Sequence, residues 1–173
     1  MQPKTLSPVE RLQLINQFRI LEKLYPDEAE HYAESREIIA RGYTIQYEEV
    51  FGEVFDEMDI EDCKYVYDVL DLYRVLIGSY MALNDKKGLT PEDVRFRGFD
   101  GNNESKRYAL AEHLRKQGMW TETLTGGLNS HFMMTMTLYP RMLEKFEPIR
   151  KQILASHTGD WQLTAEQIRE VIS

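Results

Sequence analysis

Between Asp59 and Ala82 the apolar residues Cys63, Val66, Tyr67, Leu70, Tyr73, Ile77 and Met81 recur at intervals of three and four for five turns. That spacing puts them on one side of an α-helix, and a helix of about 24 residues predicts the long central element of the fold. Asp59 stands where a cap is needed. A chain built around such a spiral cannot easily be a sandwich or a barrel.

Helix boundaries are written elsewhere in the same local code. Ser7-Pro8-Val9-Glu10 supplies a capping hydroxyl, a proline at the first helical position and a carboxylate three residues on. Leu14, Phe18, Leu21 and Tyr25 then share a stripe that Pro26 ends. A second helix is expected from about Asp27 to Gly42. A third is expected over 43–55, because Tyr47, Val50, Phe51, Val54 and Phe55 fit the helical template. Thr90-Pro91-Glu92-Asp93 predicts a short helix ending at Gly98, and residues 99–103 a loop in which Asp100 or Asn103 caps the following helix. That helix runs from Glu104 to Gln117 along Tyr108, Ala111, Leu114 and Arg115, with Gly118 as its stop. Residues 120–129, with Gly126-Gly127 inside, are irregular. Ser130 is expected to cap a helix through Phe132, Met136 and Tyr139, which Pro140 kinks or splits. Leu143, Phe146, Ile149, Ile153 and Leu154 continue that apolar face, and Thr164-Ala165-Glu166-Gln167 is a capping box for the last helix. The expected fold is all-α: an irregular multi-helical bundle of about seven to nine helices around one long central helix, in a single domain over 1–173.

Composition narrows the function. With 21 basic and 29 acidic residues the net charge is −8, which disfavours direct nucleic-acid contact and anionic membrane surfaces. Charges interrupt every longer apolar stretch, so no membrane span is expected. The lone Cys63 excludes an intramolecular disulfide and any multi-thiolate metal site; it suits a reducing, cytoplasmic setting and reads as an inert core thiol. Glycine-rich phosphate loops, GxSxG and HExxH are all missing, and His31, His113, His131 and His157 are scattered, so neither a catalytic set, a metal nor a cofactor is expected. Asp100-Gly101-Asn102-Asn103-Glu104 starts like a calcium loop but fails at Ser105 and Ala111. The acids from Glu48 to Asp62 read as a solvated helix face. Asn129-Ser130-His131, beside the Gly-rich loop, is the best functional candidate, because an imidazole at a helix start can accept a proton or a ligand hydrogen bond.

Arg11-Leu12 with Asn16-Gln17, Ala29-Glu30, Arg41-Gly42-Tyr43, Cys63, Asp68, Tyr73, Gly98-Phe99-Asp100, Asn129, Tyr139 with Arg141-Met142-Leu143, and Leu163 with Ile168 together resemble the bacterial YfbU family. The matches run in order through nearly the whole chain; Pro140 departs from the pattern. The resemblance implies a helical domain that self-associates, with a ligand-sensing or interaction role and no catalytic residues to carry over. On both grounds the expected function is a non-enzymatic domain that senses a small-molecule ligand or docks a protein partner as a homo-oligomer. Asp100, Asn129, Ser130, His131 and Tyr43 are its candidate ligand residues. The alternative is a hydrolase-like enzyme with His131 as base and Asp100 as orienting acid; a nucleic-acid-associated regulator ranks third. The apolar surface for self-association is expected around Phe132, Met133, Met134 or Tyr139.

Overall fold

Both capping boxes form as the sequence requires. In the computed structural model, which describes residues 5–131, 134–156 and 161–173, the Ser7 hydroxyl accepts from the Glu10 backbone and the Glu10 carboxylate accepts from the Ser7 N–H. Thr164 and Gln167 do the same at the other end of the chain. The described residues form seven α-helices: α1 (Pro8–Leu24), α2 (Ala29–Arg41), α3 (Tyr47–Phe51), α4 (Ile60–Ala82), α5 (Ser105–Lys116), α6 (Thr135–Ser156) and α7 (Ala165–Ile172). They contain no strand, only one isolated parallel bridge between Phe99 and Asn129. The fold is all-α, and α4 at 23 residues is nearly matched by α6 at 22.

Two compact units divide the chain, Met1–Glu57 and Met58–Ser173. In the first, α1 and α2 pack together around Ile38, Ile39 and Tyr47, supported by Leu14, Ile15, Phe18 and Phe51. Gly42 takes the left-handed conformation that ends α2. The Arg11 guanidinium lies against it and donates to the carbonyls of Ile39 and Ala40 in the last turn, at 2.8 and 2.6 Å. An arginine on one helix thus caps the end of the next.

The second unit holds the large core. Helix α4 packs against α5, α6 and α7, and the rings of Tyr73, Phe96, Phe99 and Tyr139 meet with centroids 5.4 to 5.9 Å apart. Burial pushes the Tyr73 phenol up to about 12.

Several expectations are corrected. The helix expected over 43–55 contracts to a 3₁₀ turn and the five-residue α3, leaving Val54 and Phe55 at 62% and 84% exposure. Thr90-Pro91-Glu92-Asp93 closes a turn, with Asp93 accepting from the Thr90 N–H and hydroxyl, but no helix follows. Instead Val94, Phe96 and Gly98 are buried in alternation with exposed Arg95 and Arg97, the period of extended chain. On α4 the buried face runs through Val66, Val69, Leu70, Leu72, Tyr73 and Leu76; Cys63 is half-buried and Met81 exposed, both off the core. Arg115 on α5 is also exposed. Neither Asp100 nor Asn103 is the N-cap of α5, a position Glu104 takes without a side-chain capping bond.

Helix α6 starts at Thr135, five residues after Ser130, and continues through both Pro140 and Pro148. Each proline costs a helix interior about 3 kcal/mol. Tyr139, Met142, Phe146 and Ile149 flank them and are buried, at roughly 1.5–3 kcal/mol each, so burial holds the helix together. Tyr139 is fully buried and cannot serve an oligomer surface; Met134 is exposed, while Phe132, Met133 and His157 lie outside the described residues.

Candidate functional site

Four of the five candidate residues come together where residues 98–101 run beside 128–130. Phe99 N–H donates to the Leu128 carbonyl at 2.9 Å and Ser130 N–H to that of Phe99 at 3.0 Å. Asn129 Oδ1 accepts from the backbone of Gly101 and of His131, at 3.1 and 3.0 Å. Asp100 is buried; its two carboxylate oxygens accept from Asn102 N–H at 3.0 Å and from the Asn103 amide at 2.6 Å. Beneath them the buried Glu104 accepts from Asp100 N–H, the Thr135 hydroxyl and Arg107, at 3.1, 3.2 and 2.9 Å. Tyr139 donates to the Gly98 carbonyl at 2.6 Å. Tyr43, the fifth candidate, belongs to the other unit and is half exposed.

The chemistry of this cluster is that of a polar buttress. Hydrogen bonds from Asn103 and Asn102 hold the Asp100 carboxyl below the usual carboxylate range, with the nearby His131 contributing least. His131 is exposed and precedes α6 by several residues, at a left-handed φ of 52°. Among the described residues the hydrogen bonds of Asp100 and His131 go to the neighbours named above, not to each other. A smaller hollow of about 420 Å³ opens beside the buttress, with Arg97, Asn129, Ser130 and Thr135 in its walls.

Because the folded Asp100 carboxyl is a stronger acid than in the unfolded chain, its stabilising effect is complete above the ordinary value of 3.8 and is lost as pH falls through the depressed folded value. The urea midpoint of the Met58–Ser173 unit is therefore expected to drop between pH 7 and pH 3, and to drop less in Asp100→Ala. An equal drop in both proteins contradicts the assignment.

The larger of the two concavities lies between α4 and α6, on residues that no sequence motif marks. It encloses about 760 Å³, within the range of small-molecule sites. Val75 and Gly78 of α4, Leu143, Phe146 and Leu154 of α6, and Trp161 give it an apolar lining. At its rim Arg150 reaches across from α6 to Asp68 of α4 at 3.5 Å and lies 3.8 Å from Glu147. Arg74 pairs with Glu122 and stacks over the Trp120 ring, whose N–H donates to Asp71 at 2.8 Å. Ser79 is occupied, donating to the Trp161 carbonyl at 3.3 Å and accepting from Leu163 N–H at 2.9 Å.

Gly78 is informative. A glycine inside a helix costs about 1 kcal/mol relative to alanine, yet a Cβ here would meet nothing within 4 Å. Its missing side chain widens the cleft. Gly78 in the middle of the α4 period, one turn beyond Arg74, was the available sequence signal. No group of three or more His, Cys, Asp or Glu residues is placed to hold a metal among the described residues, and none of the described helices is long and apolar enough to cross a membrane.

The model of the YfbU domain matches residues 4–173. The UPF0304 protein MJECS11 of Methanocaldococcus jannaschii is 31% identical over 176 residues, spanning 97% of this chain and 99% of that protein.

Proposed function

The chain belongs to the YfbU family, and on that premise we propose that it is a cytoplasmic recognition domain, non-enzymatic and self-associating, that binds a partly apolar small molecule in the α4–α6 cleft. The observation that carries this reading is the cleft itself: about 760 Å³ with an aromatic and aliphatic lining and a rim of charges already paired with one another. Such a rim orients a ligand without requiring it to be strongly charged. The basic pairs distributed over the second unit also support recognition of something other than nucleic acid, since Arg95, Arg107, Lys116, Arg150 and Lys151 each have an acidic partner.

An anilinonaphthalene sulfonate titration tests the reading. The dye is expected to saturate at one equivalent per chain, with quenching of tryptophan fluorescence. Gly78→Phe fills the space where no atom now stands and is expected to weaken binding at least about tenfold while leaving the melting temperature unchanged or higher. Equal binding by both proteins removes the cleft from consideration. Hydrolytic turnover by the purified protein, abolished in His131→Ala, would replace the reading with the enzymatic one.

A further inference from the structure

Helix α1 carries two apolar faces and the first unit covers one. Its 17 residues include none that is buried. Leu14, Ile15 and Phe18 turn toward α2 and are half-buried. Val9, Leu12, Ile20 and Leu24 stand 57–65% exposed. On a helix of 3.6 residues per turn these four, with the exposed Asn16 between them, form one stripe about two residues wide along the whole helix.

We propose that this stripe is the interface through which two copies of the chain associate, with the two α1 helices antiparallel about a two-fold axis at Asn16. The inference rests on the self-association included in the proposed function and assigns the surface that carries it. The stripe is self-complementary about its midpoint. Reversal around residue 16 sets Leu12 against Ile20 of the second copy, brings Val9 to within one residue of register with Leu24 of the second copy, and brings the two Asn16 side chains together. A primary amide holds both a donor and an acceptor, so paired Asn16 side chains satisfy each other, and a single polar residue in an apolar seam fixes register. The area also fits a second copy. Four aliphatic side chains exposing roughly 100 Å² each, with the stems of Gln13 and Lys23 beside them, bring two copies to about 1,000 Å², the low end for a specific interface.

Light scattering after size exclusion, on the full chain across a hundredfold concentration range, is the first test. The wild type is expected to approach twice the mass of one copy at the high end. The double variant Leu12→Glu/Ile20→Glu, altered only at exposed positions, is expected to remain at the mass of one copy with unchanged helical circular dichroism. In a Cys63→Ser background, Asn16→Cys is expected to form a disulfide-linked dimer on mild oxidation, because a residue on the axis meets its own copy. Leu24→Cys alone is expected not to. A wild type that stays monomeric overturns both this interface and the self-association it rests on. A dimer that survives the double charge substitution, or that cross-links as readily through residue 24 as through residue 16, leaves self-association standing and overturns this interface.

Discussion

Gly98→Ala is expected to destabilise the Met58–Ser173 unit by about 4 kcal/mol or more. Gly98 has a φ of 83°, a left-handed conformation that costs an alanine roughly 1–2 kcal/mol. The added Cβ would then stand 2.3 Å from the Leu128 carbonyl oxygen and 2.5 Å from its carbon, both backbone atoms that no rotamer change can move. Relief requires separating residues 98–101 from 128–130. That breaks the Phe99–Leu128 and Ser130–Phe99 hydrogen bonds and withdraws the acceptor of the buried Tyr139 hydroxyl. Urea unfolding followed by circular dichroism measures the loss. Gly126→Ala, where a Cβ meets nothing within 4 Å, is the control and is expected to stay within about 0.5 kcal/mol of the wild type. A Gly98→Ala protein as stable as that control would show that the close approach of the two segments is wrong.

Arg107→Leu is the second large effect, expected to cost about 3 kcal/mol. The Glu104 carboxylate is 1% exposed, and Arg107 at 2.9 Å is the cation that compensates it. Removing that cation leaves a buried charge beside the Asp100 N–H and the Thr135 hydroxyl, which alone cannot balance it; breaking a buried pair from one side costs about 3–5 kcal/mol. The lower end applies because Arg107 retains 27% exposure and its second partner, Asp62, faces solvent more openly. Adding Glu104→Gln should recover part of the loss, because the amide carries no charge to strand. In a double-mutant cycle on urea-derived stabilities the double variant is therefore expected to lose clearly less than the two single losses added together. Additivity would mean that Glu104 and Arg107 do not act as a pair.

Features with local determinants are legible in the sequence, and those that depend on distant residues are not. The Ser7–Glu10 and Thr164–Gln167 boxes need only residues three apart, and both formed. Thr90–Asp93 forms only half of such a box, the Asp93 carboxylate accepting from the Thr90 N–H while the Thr90 hydroxyl donates to it, and no helix follows, because Val94 and Phe96 are buried on alternate positions and draw the chain out extended; the alternation Val94-Arg95-Phe96-Arg97 is only four residues long. Val54 and Phe55 keep the helical period yet lie beyond the end of α3, since a period specifies a face without supplying anything to bury it against. Pro140 and Pro148 predict interruption from backbone chemistry alone, and burial on either side of them outweighs it.

The candidate site shows the same division. Asp100, Asn129, Ser130 and His131 stand out for their side-chain chemistry and do gather, but the Asp100 carboxylate and the Asn129 amide oxygen are spent on donors within the two segments, and the Ser130 hydroxyl meets that of Thr135. The α4–α6 cleft depends on residues some 70 positions apart, such as Gly78 and Phe146, and on a glycine whose significance lies in what it leaves empty. No local pattern announces a space. The family resemblance was legible along the whole chain and is shown over residues 4–173.

Native mass spectrometry of the protein purified gently from cells tests the recognition reading most directly. The account predicts a wild-type population carrying one extra non-covalent small-molecule mass per chain, absent from Gly78→Phe prepared in parallel. The same adduct on both proteins, or its loss from His131→Ala but not from Gly78→Phe, would contradict it.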